Sequence, residues 1–129
     1  MRRLRILSVG VIIGVGLALT ACSSGSDSSD SGAGKVGVIL PDTKSSVRWE
    51  SKDRPALEAA FQDAGVDYTI QNAEGSADTM ATIADGMIAD GVTVLAIVNL
   101  DSDSGASIQQ KAATQGVKTI DYDRLTLGG

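Results

Sequence analysis

Hydrophobic and polar positions in residues 35–129 repeat in one order: an amphipathic stretch, a glycine, and a run rich in β-forming residues. The glycines are Gly65, Gly91 and Gly116, spaced by 26 and 25 residues, and each precedes a valine. A glycine just past a helix end supplies the left-handed backbone conformation that terminates the helix. With the strand-like KVGVIL at 35–40 in front, the pattern predicts a βαβαβαβ order of elements.

Each predicted helix has an apolar face suited to covering a sheet. The clearest case is residues 76–90, where apolar side chains recur at the spacing of one helix face. Pro55 lies near the start of the first helix, where proline is tolerated. The predicted inward residues are Leu57, Ala60, Phe61 and Ala64 in the first helix, Met80, Ile83, Met87 and Ile88 in the second, and Ile108, Ala112 and Ala113 in the third, over residues 104–115.

The run VLAIV at 94–98 is apolar at every position, as expected of a central parallel strand that is buried on both faces. Right-handed crossovers between such strands give a doubly wound parallel α/β sheet, and this is the predicted fold class. Ligands of these sheets bind at the carboxyl ends of the strands. The candidate site therefore comprises four loops, over residues 41–49, 73–76, 99–103 and from 122 onward.

The first 34 residues do not have the composition of a folded domain. Residues 1–21 predict an export signal, because the basic MRRLR precedes an apolar stretch of 14 residues, shorter than the roughly 20 that a spanning helix needs. A membrane anchor is the alternative. The stretch LTAC at 19–22 resembles the lipobox of bacterial lipoproteins, which implies a diacylglycerol on Cys22. Residues 22–34, rich in serine, glycine and aspartate, predict a flexible tether.

Charge and residue content narrow the classes of function. The chain carries a net charge of −5, and −8 once the three arginines of the signal are removed, so a nucleic-acid partner is not expected. The chain contains no histidine, and Cys22 is its only cysteine. A zinc or redox site and a serine triad with a histidine base are therefore not expected. We expect a protein that is not an enzyme and needs no cofactor.

Two short motifs resemble known binding loops but lie in the wrong context. GAGKVG at 32–37 matches G-x-G-x-x-G, yet it precedes a strand, whereas a dinucleotide loop follows one. DSDSG at 101–105 suggests a calcium loop, but no glutamate closes it. Capping of the third helix by Asp103 or Ser104 explains the second motif better.

Three stretches carry a family resemblance, namely VGVILPDTKSSVRWESKDRPALEAAF, MIADGVTVLAIVNLDSDSG and GVKTIDYDRL. They are similar to the sugar-binding proteins of ABC transporters, in the type I periplasmic-binding-protein family, and most of all to its xylose-binding branch. The resemblance implies two α/β lobes that close over a sugar. Residues 35–129 correspond to an incomplete N-terminal lobe, so we expect the chain to be a fragment that binds sugar weakly.

The resemblance also implies a set of ligand-binding residues. Arg48 and Trp49 match the family's Arg-Trp, which bonds sugar hydroxyls and covers a sugar face. Asp123 and Arg124 match its Asp-Arg pair, which grips adjacent hydroxyls, and we expect Asp123 to be buried beside Arg124. The alternatives are a core position for Trp49, surface charges for the arginines and a turn cap for Asp123. Two residues in the right loops without a specific match complete the candidate set: Lys44 and Asn99.

The function implied by the resemblance is delivery of a monosaccharide, such as xylose or a similar aldose, to an ABC permease. The protein would be anchored by its lipid at the outer face of the membrane. A sugar-sensing signalling receptor on the same fold is the alternative, followed by an enzyme of flavodoxin-like architecture. If Trp49 contacts the sugar, Trp49→Ala is expected to weaken binding and leave the fold intact.

Overall fold

The structure is a computed structural model that describes residues 34–129. The predicted signal at 1–21, Cys22 and the tether up to residue 33 lie outside the described residues. Strands and helices alternate as the sequence predicts. The elements in chain order are β1 (Lys35–Leu40), a π-helical segment (Trp49–Asp53) that continues into α1 (Arg54–Ala64), β2 (Tyr68–Asn72), α2 (Ala77–Ala89), β3 (Val92–Ile97), α3 (Ser102–Thr114) and β4 (Lys118–Asp121).

The four strands form one parallel sheet in the order β2-β1-β3-β4. Val38 in the middle of β1 lies opposite Ile70 of β2 on one side and Ala96 of β3 on the other. From β1 the chain crosses first to β2 and later returns past β1 to β3. The loops that follow β1 and β3 therefore diverge, and this crevice is where doubly wound sheets bind ligands.

Helices cover both faces of the sheet, which confirms the doubly wound fold class. On one face α2 and α3 bury a cluster that includes Ile39, Met80, Leu95 and Ile108. On the other face the π-helical segment and α1 cover a smaller cluster, built from Val38, Leu40, Trp49 and Val98, with Leu57 and Phe61 packed at its margin.

The predicted helix faces are right for the large side chains and wrong for three alanines. Met80 and Met87 are fully buried, and Ile83 and Ile88 pack against the same cluster. Ala60, Ala64 and Ala113 are exposed. Each of these alanines flanks the row of side chains that contacts the sheet, and a methyl group is too short to reach it from there.

The glycines end the helices as predicted, since Gly65, Gly91 and Gly116 have φ of 63°, 81° and 74°. The start of α3 differs from the prediction, because the helix begins at Ser102 and its cap is Asp101 rather than Asp103 or Ser104. The Asp101 carboxylate accepts a hydrogen bond of 2.8 Å from the backbone N–H of Ser104. This bond satisfies one of the free N–H groups of the first turn. None of the helices within 34–129 has the length and apolar character needed to cross a bilayer.

Candidate functional site

The loops after β1, β3 and β4 meet at the carboxyl edge of the sheet and bring most of the candidate residues together. The loop after β1 leads to Arg48 and Trp49, the loop after β3 carries Asn99, and the segment after β4 carries Asp123 and Arg124. The described residues enclose no cavity there. The candidate site is therefore an open surface at the edge of the sheet.

Asp42 shapes the loop that follows β1. Its carboxylate accepts hydrogen bonds from the backbone N–H of Lys44 at 2.7 Å and the hydroxyl of Ser45 at 2.7 Å, and also from the Ser45 backbone. The Ser45 hydroxyl, and then the Ser45 backbone bond, hold the pKa of Asp42 below its usual value. The Lys44 side chain is exposed, and within residues 34–129 its ammonium has no salt-bridge partner.

Trp49 occupies a core position, which is the alternative considered for it from the sequence. Only 3% of the residue is exposed, and the ring packs with Val38, Leu40 and Val98 against the sheet. The guanidinium carbon of Arg48 lies 4.2 Å from the centre of the ring and that of Arg124 lies 5.7 Å from it. Trp49 therefore forms a floor beneath two arginines, in cation–π contact with both.

Arg48 is held by two carboxylates. Its Nη2 donates to Oδ1 of Asp123 at 2.7 Å, and its Nε donates to Oδ2 of Asp53 at 3.0 Å. The hydrogen bond with Asp123 is the main cause that raises the pKa of the Arg48 guanidinium above its ordinary value. Asp53 takes part in a second contact, because its Oδ1 accepts a bond of 2.7 Å from the hydroxyl of Tyr122.

Two expectations about Asp123 are wrong. The side chain is not buried, since 34% of it is exposed, and its salt-bridge partner is Arg48 rather than the adjacent Arg124. Asp123 has φ of 79°, a left-handed conformation in which few residues other than glycine are found. Its carboxylate reaches Arg48, 75 residues earlier in the chain.

Arg124 and Asn99 tie the segment after β4 to the end of β3. Arg124 donates from Nη1 to the Asn99 carbonyl at 3.0 Å, and the Asn99 amide donates to the Thr126 hydroxyl at 2.7 Å. Asn99 is 4% exposed. The side-chain N–H groups of Asn99 are therefore directed into the protein, and in this structure Asn99 holds the loop that carries Asp123.

Several residues that shape the site were not singled out from the sequence. Asp42 was recognisable as an acid two residues after the end of β1. Asp53 gave no signal, because an acid just before a helix is common and usually faces solvent. The other two residues are Asp121 and Thr126. The Asp121 carboxylate accepts hydrogen bonds of 2.7 Å from both the backbone N–H and the hydroxyl of Thr126.

The chemistry of this surface is that of hydrogen bonding to a polar ligand. Arginines supply fixed donors and the Asp123 carboxylate supplies acceptors, beside an aromatic floor. Within residues 34–129 no three acidic, histidine or cysteine side chains gather closely enough to hold a metal ion.

Comparisons with known proteins place this fold in a family. The profile of a family described as the periplasmic binding protein domain matches residues 36–129. The chain belongs to this family. The relatives described below are named as binding proteins, in agreement with the expectation of a protein that is not an enzyme.

Curated relatives are named for sugars. The multiple sugar-binding periplasmic protein SbpA of Azospirillum brasilense is 36% identical over 93 residues, which is 72% of this chain and 26% of that protein. The D-xylose-binding periplasmic protein of Escherichia coli (strain K12) is 29% identical over 91 residues, which is 70% of this chain and 27% of that protein. The chain thus spans about a quarter of the length of these relatives.

Solved structures show the same fold. An ABC transporter solute-binding protein from Clostridium phytofermentans with bound β-D-glucose is 30% identical, with a TM-score of 0.67 over 74% of this chain and 29% of that chain. A carbohydrate transporter solute-binding protein from Chloroflexus aurantiacus in complex with D-glucose is 35% identical, with a TM-score of 0.64 over 70% of this chain and 26% of that chain. The α/β sheet of residues 34–129 therefore matches part of a periplasmic-binding-protein fold.

Proposed function

We propose that this protein is an extracytoplasmic solute-binding protein that binds a monosaccharide, xylose or a similar aldose, and delivers it to the permease of an ABC transporter. The family, the sugars named for the relatives and the composition of the site support this proposal. The bound form would be recognised by the permease after a change of domain arrangement, as in other binding proteins.

The observation that carries the proposal is the pairing of Arg48 with Asp123 at the carboxyl edge of the sheet. Within the described residues, Nη1 of Arg48 and Oδ2 of Asp123 have no hydrogen-bond partner in the protein. They form a donor and an acceptor side by side. One sugar hydroxyl can accept from Nη1 of Arg48 while its neighbour donates to Oδ2 of Asp123, so a pair of adjacent hydroxyls matches the arrangement.

The other candidate residues take different roles in this proposal. Arg124, 5.7 Å from the centre of the Trp49 ring, adds further donors, and Lys44 contributes an exposed ammonium in the loop after β1. Trp49 supports both arginines from below. Asn99 fixes the segment after β4 through Thr126 and Arg124 rather than presenting its amide N–H groups to the ligand.

The proposed location is the outer face of the membrane. Residues 1–21 would direct export, a diacylglycerol on Cys22 would anchor the chain, and residues 22–34 would hold the domain above the bilayer. Two acyl chains give stable anchoring where one gives only reversible binding. Apart from residue 34, these residues precede the part of the chain that the structure describes, so this part of the proposal is supported by the sequence alone.

The proposal predicts sugar binding at the loops after β1, β3 and β4. Titration of the ¹⁵N-labelled chain with xylose, ribose, glucose and galactose should shift the amide signals of Arg48, Trp49, Asp123 and Arg124 for at least one sugar. The affinity should be low, about millimolar or weaker, because an open surface leaves much of the sugar in water, which competes for each hydrogen bond.

Asp123→Ala should weaken this binding by about tenfold or more, the effect of losing a hydrogen bond to a charged group. Asp123→Asn should recover little, because the amide nitrogen is a donor where the sugar hydroxyl needs an acceptor. Asp63→Ala removes an equal charge from the exposed end of α1 and is the matched control. Unchanged affinity of Asp123→Ala, or no shifts with any of the sugars, would contradict the proposal.

A further inference from the structure

Asp53 bridges two segments that are far apart in the chain. It ends the π-helical segment and is largely covered, with 13% of its side chain exposed. One carboxylate oxygen accepts from the hydroxyl of Tyr122 at 2.7 Å, and the other accepts from Nε of Arg48 at 3.0 Å. Both oxygens are thus occupied by protein donors, and Asp53 is not itself arranged to contact a ligand.

These bonds fix a side chain that would otherwise be mobile. An arginine side chain at the surface loses rotamer entropy when it is held in one conformation. Arg48 is 46% exposed, yet it is held at three points: Nε by Asp53, Nη2 by Asp123 and the guanidinium plane by the Trp49 ring. Because these contacts exist without a ligand, this entropy is lost on folding rather than on binding.

The two donors to Asp53 differ in what they supply. Arg48 brings the positive charge that a carboxylate needs when it is mostly covered. Tyr122 brings a neutral hydroxyl from the segment directly after β4, and its ring packs against the cluster around Trp49. The Tyr122 hydroxyl therefore fixes the orientation of the Asp53 carboxylate relative to the segment that carries Asp123.

We propose that Asp53 and Tyr122 are positioning residues that hold the Arg48 guanidinium over Trp49 and against Asp123, so that Arg48 and Asp123 form a preassembled donor–acceptor pair for a ligand with adjacent hydroxyls. The ligand class rests on the proposed function, whereas the positioning of Arg48 does not. The pair Asp53–Tyr122 joins the end of the π-helical segment to the segment after β4 across 69 residues of sequence.

Two variants test the positioning without a ligand. Asp53→Asn replaces one acceptor oxygen by a donor, so it cannot bond both Tyr122 and Arg48 as the carboxylate does. Tyr122→Phe keeps the ring and removes only the hydroxyl. Tyr68→Phe is the matched control, because its hydroxyl accepts from Gln62 and its ring stacks on Phe61, away from the site.

The chain offers a selective optical probe, because Trp49 is its only tryptophan and Arg48 lies on its ring. In Asp53→Asn the emission of Trp49 should change, and the Nε–H of Arg48 should exchange with water about tenfold faster, as expected when a charge-assisted hydrogen bond is lost. Tyr122→Phe should change both signals in the same direction by less. Tyr68→Phe should leave both unchanged.

Sugar titrations of the same variants test the consequence for binding. Asp53→Asn and Tyr122→Phe should weaken binding by about fivefold, because the ligand must then order Arg48 itself. The positioning inference is wrong if, in a folded variant without ligand, the Trp49 emission and the exchange rate of the Arg48 Nε–H both match those of the wild type. If Asp53→Asn does not fold, the same comparison with Tyr122→Phe decides. Unchanged affinity with a released Arg48 also overturns it. If the wild type binds none of the sugars but the variants release Arg48, the proposed function is refuted and the positioning inference stands.

Discussion

Asp123 adopts a backbone conformation that costs free energy for most side chains. Its φ of 79° is in the left-handed region, where aspartate is tolerated better than larger or branched residues. Residues in such conformations cluster at binding sites, because the surrounding contacts hold them there. The contact that holds Asp123 is its salt bridge to Arg48. The same residue therefore carries backbone strain and the proposed acceptor for a ligand.

Trp49 illustrates how burial changes an expectation drawn from the sequence. We predict that Trp49→Ala lowers the free energy of unfolding by about 3–5 kcal/mol, as for other large aromatic residues removed from a core. The reason is its 3% exposure within the cluster of Val38, Leu40 and Val98. Urea unfolding followed by far-ultraviolet circular dichroism measures the effect.

Trp49→Phe is the control for this measurement, because it retains an aromatic ring and should cost less. The sequence-based expectation was that Trp49→Ala leaves the fold intact. An unfolding free energy within about 1 kcal/mol of the wild type would restore that expectation and assign the ring to ligand contact.

At the scale of elements, the segment after β4 depends on α3 and on the end of β3. Asp121 accepts two hydrogen bonds from Thr126 and one of 2.8 Å from the side-chain amide of Gln109 in α3. Thr126 also accepts from Asn99 at 2.7 Å. This network closes the segment that carries Asp123 and Arg124 into a loop with both ends fixed, and α3 packs directly against it.

Gly105 of α3 allows this packing. A Cβ there would lie 2.7 Å from the Thr126 hydroxyl oxygen and 3.1 Å from Cβ of Asn99. In an exposed helix, Gly→Ala stabilises by about 1 kcal/mol, but overpacking costs about 1–3 kcal/mol. We predict that Gly105→Ala destabilises the protein and shifts the amide signals of Asp123 and Arg124.

Gly86 of α2 provides the matched control, because a Cβ there would meet no atom within 4 Å. Gly86→Ala should therefore raise the free energy of unfolding by about 1 kcal/mol. Both values follow from thermal or urea unfolding. Equal stabilisation by the two substitutions would show that the segment after β4 is not held against α3.

At the scale of the whole molecule, the fold positions the candidate site, and the predicted export signal would determine where the protein acts. We predict that Cys22→Ala abolishes membrane attachment, because the diacyl group that gives stable anchoring has no other acceptor cysteine in this chain. Labelling of cells with a radioactive fatty acid, followed by fractionation, measures both steps. Ser23→Ala is the control and should remain labelled. A wild-type protein that takes up no label would end the lipoprotein hypothesis.

The sequence alone determined the order of the elements and the edge of the sheet where the candidate residues lie. Helix faces and glycine caps are local features, because they depend on residues within one or two turns. Strands that alternate with helices must run parallel, so their carboxyl ends meet at one edge. The loops that hold Arg48, Asn99 and Asp123 were therefore predictable, although the small side chains at the margins of the helices were not.

Only the tertiary structure decided which side chains pair at that edge. Adjacency in DYDR suggested Asp123 and Arg124 as partners, but Asp123 adopts a left-handed conformation and pairs with Arg48 instead. Likewise, Asp53 and Tyr122 contact each other only because the end of the π-helical segment and the residue after β4 are brought to the same edge. Such contacts depend on loop dihedrals and rotamers across some 70 residues of chain, and the periodicity of hydrophobic positions carries no information about them.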